Sequence, residues 1–233
     1  MFYYPCVSTT HRGKFITFEG LDGTGKSTQI EKLAKALRAR GLSVVVTREP
    51  GGTDTGEKIR HVILDSATEG LSAMAEMALM FASRAQHIQE IIAPALAQGK
   101  IVLCDRFTDS TEAYQGSGRK LGSKAVLELH RILCGNLQPD LTLLMDSDLS
   151  TSVERARRRN LAKHARAGRA HKDENRFEQE NRAFFGRVRN GFLAIARREP
   201  ERVVLVDARG TPSQTHAKIV DVVQRKLRLK NDS

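Results

Sequence analysis

A parallel sheet of five strands with helices on both faces, an α/β fold, is predicted by three features of this sequence. Five short runs of aliphatic and β-branched residues recur along its 233 residues, each followed by apolar residues at helical spacing. The runs are apolar throughout instead of alternating, as strands covered on both faces are. The first run leads directly into GLDGTGKST at 20–28, which fits G-x-x-x-x-G-K-[ST], the signature of a phosphate-binding loop between a strand and a helix.

Residues 15–18 (FITF) are the first strand. A helix over 27–40 follows with Ile30, Leu33, Ala34 and Leu37 on one face, and Gly41 ends it. Residues 42–47, with three consecutive valines, form the second strand and deliver Arg48-Glu49-Pro50-Gly51-Gly52-Thr53, a loop by its proline and paired glycines. A short helix spans 54–64. The longest helical pattern runs over 71–97 through Met74, Met77, Phe81, Ala85, Ile88 and Ile92, with Pro94 kinking or ending it. Residues 101–104 are the third strand, ending at Asp105-Arg106, and a polar, glycine-bearing loop is expected over 107–118. Helix returns over 124–133. The fourth strand, 141–145, ends at Asp146, and Ser150 and Glu154 suit the start of a helix that runs into a basic segment. Residues 174–198 read as one long helix, 203–206 as the fifth strand, and Thr211-Pro212 opens a last helix.

Nothing repeats and no low-complexity linker intervenes, so 15–233 is one domain with a lid at about 155–173. Residues 1–14 lack the charged-then-apolar order of a signal peptide and read as a disordered leader or a start placed too early. No apolar run approaches the ~20 residues of a membrane span. Cys6, Cys104 and Cys134 have no metal-ligand spacing and form no even set of disulfides, which fits a reducing cytoplasm. The net charge is +11, but residues 155–172 hold eight Lys or Arg and no Asp or Glu, and without that window it is +3. The excess is one local segment, which favours phosphate handling over a nucleic-acid surface.

The loop glycines Gly20, Gly23 and Gly25 let backbone N–H groups approach phosphate oxygens where a Cβ would intrude. Lys26 reaches the β- and γ-phosphates and Ser27 takes a place on Mg²⁺. Gly20, Leu21, Asp22, Gly23, Thr24, Gly25, Lys26, Ser27 and Thr28 are thus the expected ATP site of a P-loop NTPase fold. Arg48 and Arg106 follow strands two and three at the same sheet edge, where ligands bind in open α/β folds. They suggest a second anion, because Arg grips phosphate in a bidentate fork. Two phosphorylated ligands and an Arg-rich lid describe a phosphotransferase, whose chemistry needs positioning and charge neutralisation more than covalent help.

FEGLDGTGKST at 18–28, REPGGT at 48–53 and CDRF at 104–107 with STEAYQG at 110–116 resemble the thymidylate kinase family, the bacterial type in particular. The resemblance runs from about Phe15 to the C-terminus and implies a homodimeric ATP:dTMP phosphotransferase that makes dTDP for dTTP biosynthesis, with Mg²⁺. It implies that Phe81 stacks on thymine while Arg84, three residues on, hydrogen-bonds the base. Arg48 and Arg106 would grip the acceptor phosphate, Ser110 and Thr111 contact the base, and Tyr114 and Gln115 enclose the nucleoside. Asp22 would meet the sugar 3′-hydroxyl, and Asp105 would hold Mg²⁺ through water and orient Arg106. Some members carry a catalytic arginine inside the loop, where this chain has Gly23, so the arginine must come from the lid. Arg157 and Arg159 are the nearest match, with Arg155 and Arg158 beside them. The stretch from Asn160 to Asp173 is longer than the family's lid, which leaves Arg166 or Arg169 open, and NRFE at 175–178 restores the register. The expected partners are ATP, dTMP and a second copy of the chain, with neither nucleic acid nor membrane. Another nucleoside monophosphate as acceptor, or a nucleic-acid-stimulated P-loop ATPase, are the alternative readings.

Overall fold

The computed structural model of the chain describes residues 13–65, 67, 68, 70–152, 154, 155, 158 and 176–227. Strands β1 (Phe15–Glu19), β2 (Val44–Arg48), β3 (Ile101–Asp105), β4 (Leu141–Asp146) and β5 (Val203–Asp207) form one parallel sheet in the order β2-β3-β1-β4-β5. The helices are α1 (Lys26–Ala39), α2 (Asp54–Leu64), α3 (Ala73–His87), α4 (Ala93–Ala97), α5 (Thr108–Thr111), α6 (Ser123–Leu133), α7 (Arg182–Arg198) and α8 (Pro212–Leu227).

Both faces of the central strands β1, β3 and β4 are covered, which is why they read as continuous apolar runs. β2 and β5, expected to be buried as well, lie at the margins and leave Val46 and Leu205 exposed. On one face Ile16, Phe18, Leu103, Leu143 and Met145 pack with residues of α1 and α8. On the other, Phe15, Val102 and Cys104 pack with Met77, Phe81 and Ile88 from the α3 side and Val126 of α6. A third cluster joins Leu21, Tyr114 and Leu144 to Phe184, Val188 and Phe192 of α7. β1, first in the chain, thus stands at the centre and carries the phosphate loop on its carboxyl end.

Three elements differ from the sequence reading. The helix expected over 71–97 is α3, a π-helical turn (Ile88–Ile92) and α4. The Ala93 N–H reaches back five residues to the Ile88 carbonyl, so the chain enters α4 with Pro94 in its first turn, where a missing N–H costs nothing. Residues 108–118 are helical, α5 followed by a π-helical stretch (Glu112–Gly118), where a polar loop was expected over 107–118. Their polar side chains point inward to partners: Glu112 accepts both arms of Arg198 at 2.6 and 2.8 Å, and Gln115 donates to Glu76 at 2.8 Å. The helix expected over 174–198 is broken into a 3₁₀ turn (Arg176–Gln179) and α7, which starts where the Asn181 side chain accepts the Phe184 N–H at 2.9 Å.

Gly118 is where the π-helical stretch meets α7. A Cβ there would lie 2.7 Å from the Phe184 ring and 2.9 Å from Val188. Gly118→Ala is expected to lower stability by about 1–3 kcal/mol through this overlap, read as a shift in the urea midpoint at constant m-value.

Candidate active site

The carboxyl ends of β2, β3 and β1 lie side by side: Arg48 registers with Asp105, and Asp105 with Phe18. Backbone bonds fasten the loops leaving them, the Glu49 N–H to the Asp105 carbonyl and the Arg106 N–H to the Phe18 carbonyl, each at 2.9 Å. The phosphate loop follows β1. Gly20 has φ 124°, and a Cβ on it would lie 2.3 Å from the Met145 carbonyl oxygen, so only glycine fits. Gly25 precedes α1 in the left-handed region with no side-chain cap, and the first turn holds no acidic residue. The first amides and the helix dipole are therefore left to an anionic ligand.

Lys26 Nζ donates to the carbonyls of Gly20 and Leu21 at 3.2 and 3.0 Å and stands 3.9 Å from Asp22. Burial, and after it the Arg106 charge, push the ammonium down to about 8. Ser27 Oγ donates to Asp105 Oδ2 at 3.1 Å, while Asp105 Oδ1 is buried without a partner.

Arg106 bridges the loops. Its backbone is left-handed at φ 71°, uncommon for a residue with a side chain. Its guanidinium donates to Ser110 Oγ and Asp22 Oδ1 at 2.9 Å each and to the Tyr114 hydroxyl at 3.3 Å, and it lies 5.0 Å over the Tyr114 ring. Burial opposes its charge most, but Asp22, Tyr114, Asp105 and Glu19 together outweigh this and hold the guanidinium well above the ordinary arginine range. The orienting groups are thus Asp22, Ser110 and Tyr114. The expected orienter, Asp105, adds its charge to Arg106 with no hydrogen bond among those described.

Arg84 is 2% exposed. It donates to Glu49 Oε2 at 2.7 Å and to Thr111 Oγ1 at 2.9 Å, and its Nη1 is buried with no partner. His87 Nδ1 lies 2.9 Å from the other Glu49 oxygen, and His87 Nε2 lies 2.6 Å from Thr47 Oγ1. Burial alone would raise the Glu49 carboxyl; Arg84 and His87 bring it below its ordinary value.

Phe81, expected against the base, packs beneath Arg84. It is fully buried in the core, with the Arg84 guanidinium 4.9 Å over its ring, so it supports Arg84 from below. Arg48 is exposed and pairs with Glu57 at 3.0 Å. Ser110 and Thr111 are brought to the site by their bonds to Arg106 and Arg84. Gln115 Oε1 is buried and unpartnered. Arg157, Arg159, Arg166 and Arg169 lie outside the described residues, as does most of the expected lid; Arg155 and Arg158 are exposed on helical turns, Arg158 pairing with Glu154 at 3.2 Å.

Sequence reasoning missed four buried residues. Glu49 and His87 anchor Arg84. Glu76 takes Gln115, Arg119 and Arg176 onto one carboxylate buried in α3, and Arg176 is the first described residue after the basic segment. Glu19 accepts the Phe107 N–H at 2.7 Å and the Ser110 hydroxyl. An acid within an apolar pattern was the one available signal.

A helix N-terminus open to phosphate, with a guanidinium held across it from the neighbouring strand, defines a P-loop phosphotransferase. The family model described as thymidylate kinase matches residues 18–219. A thymidylate kinase of Trichlorobacter lovleyi is 47% identical over 213 residues, 91% of this chain and 98% of that protein. One from Pseudomonas syringae pv. tomato is 46% identical over 217 residues, 93% of this chain and 98% of that protein. Among solved structures, thymidylate kinase from Ehrlichia chaffeensis superposes with a TM-score of 0.72 at 32% identity, covering 91% of this chain and 100% of that one. The chain belongs to the thymidylate kinase family, enzymes that phosphorylate dTMP to dTDP using ATP.

Arg84→Met is expected to lower stability by about 3–5 kcal/mol, because it leaves the buried Glu49 carboxylate with His87 alone. Adding Glu49→Gln should return a large part of that loss in urea unfolding, as a coupled pair does.

Proposed function

We propose that this chain performs the family reaction with the donor triphosphate at the phosphate loop and dTMP between Arg106 and Arg84. An oxygen of the dTMP phosphate attacks the γ-phosphorus, the bond to the β–γ bridging oxygen breaks, and dTDP and ADP result. The acceptor is already an oxyanion, so no strong general base is needed. Lys26 and the lid arginines, Arg157 and Arg159, offset charge on the transferring group, while Arg48 and Arg106 hold the acceptor phosphate.

The observation that carries the acceptor is Arg84 Nη1. A buried N–H without a partner costs about 1–3 kcal/mol, and a carbonyl oxygen on a pyrimidine ring would satisfy it. Gln115 Oε1, an unpartnered acceptor on the helical segment that follows Thr111, suits the N–H that such a ring also presents. Tyr114 encloses the nucleoside, and Asp22 takes the sugar hydroxyl.

Ser27 and the unpartnered Asp105 Oδ1 suit a hard divalent cation such as Mg²⁺, with Asp105 acting through water. No group of three or more His, Cys, Asp or Glu placed to hold a metal ion occurs among the described residues, so phosphate oxygens and water would complete the coordination. When bound, the cation neutralises charge on the phosphate oxygens.

For a homodimer, α3 offers Met74, Ala75 and Ala78 as exposed apolar positions. No described helix is long and apolar enough to cross a membrane, and the work is assigned to the cytoplasm, where the buried thiols of Cys104 and Cys134 stay reduced.

ADP production with Mg·ATP and a panel of monophosphates tests the acceptor: dTMP should exceed purine monophosphates by a large factor, and the reverse order sinks the assignment. Lys26→Ala should reduce kcat by roughly 10²–10³-fold. Arg84→Lys keeps a charge beside Glu49 but loses the planar fork, and should raise KM for dTMP far more than KM for ATP. Chelation of divalent ions should stop turnover, and Mg²⁺ should restore it.

A further inference from the structure

Glu19 is the last residue of β1, immediately before the phosphate loop, and its side chain is fully buried. A buried acid without a role in binding is costly, and the chain could have continued the apolar run of β1 instead. Its two oxygens go to different parts of the turn after β3. One accepts the Phe107 N–H at 2.7 Å, and the other bonds the Ser110 hydroxyl. Arg106 precedes Phe107, is bonded by its own N–H to the Phe18 carbonyl at 2.9 Å, and donates from Nη1 to that same Ser110 oxygen. The left-handed backbone of Arg106 is therefore pinned on both sides, by Phe18 before and Glu19 after. The guanidinium is aimed through a chain that begins at the Glu19 carboxyl.

We propose that Glu19 is a positioning residue: through the Phe107 N–H and the Ser110 hydroxyl it holds the strained turn at Arg106 and fixes the guanidinium where the acceptor phosphate binds. The inference rests on the assignment of Arg106 to that phosphate.

Charge on Glu19 is not what the geometry requires. Burial, with Asp109 adding to it, pushes the Glu19 carboxyl up to about 8 against the opposing pull of Ser110 and Arg106. The neutral acid makes the same two contacts, its carbonyl oxygen accepting the Phe107 N–H and its hydroxyl donating to Ser110. Glutamine reproduces that pattern with an amide oxygen and an amide N–H. Alanine makes neither contact, and aspartate, one methylene shorter, cannot span both. A group acting by charge, as a base or metal ligand, would fail equally as glutamine or alanine.

The experiment is steady-state kinetics of the full chain with Mg·ATP and dTMP, comparing Glu19→Gln, Glu19→Ala and Arg106→Ala, with a thermal melt of each. Glu19→Gln is expected within about threefold of the parent in all constants. Glu19→Ala is expected to raise KM for dTMP tenfold or more while KM for ATP moves less than threefold. Equal loss in the glutamine and alanine variants overturns the proposal, as does an unchanged dTMP KM in Glu19→Ala. Should the alanine variant not fold, Glu19→Asp carries the same expectation and the same overturning result. Arg106→Ala separates the two levels. If it leaves KM for dTMP unchanged, the role given to Arg106 fails; if it raises KM while Glu19→Ala does not, only the role given to Glu19 fails.

Discussion

The ion pair between Arg106 and Asp22 connects two loops that the sheet brings side by side. Asp22 belongs to the phosphate loop after β1, and Arg106 to the turn after β3; their side chains meet at 2.9 Å at the rim of a largely buried site. Arginine remains charged under all working conditions, so its side of the pair is not lost through titration. It also defines the chemistry available there. A phosphate group entering beside Arg106 meets a guanidinium already held by Asp22, Ser110 and Tyr114, and therefore spends little entropy in ordering it.

Behind that rim lies a second layer of buried acids, each paired. Glu49 holds Arg84, Glu76 holds Arg119 and Arg176, and Glu112 holds Arg198. Pairs of this kind contribute little net stability, because desolvation consumes the Coulomb gain. What they fix is geometry. Arg84 has no freedom to swing away from its unpartnered Nη1 direction while Glu49 and Thr111 hold its other nitrogens.

The three central strands were legible because strands buried on both faces leave one unmistakable mark, a continuous apolar run. The margin strands β2 and β5 showed the same apolar run through their β-branched residues although they are partly exposed. The phosphate loop and its neighbours were legible because backbone geometry confines those positions to glycine. The stretch 107–118 was misread because its polar residues and glycines look like a loop, whereas they face partners from α3 and α7 that lie far away in sequence. Phe81 carries two signals. Helical spacing places it in the core, where it is buried, and family resemblance places it against the base, on the side where Arg84 lies over its ring. Glu19, Glu49 and Glu76 were invisible as site builders, since each takes its meaning from partners 35 to 100 residues distant.

The central position of β1 bears on how this chain can change length. Paired in parallel on both sides, β1 has no free edge along which to slip. Losing one residue from it would turn Glu19 to the opposite face and carry the phosphate loop half a pleat out of line with β3 and β4. β2 and β5 are paired on one side only, and a residue gained or lost near them leaves the centre in register. Insertions and deletions over evolutionary time are therefore expected to gather toward the two margins of the sheet, and the stretch leading into the phosphate loop to keep a constant count.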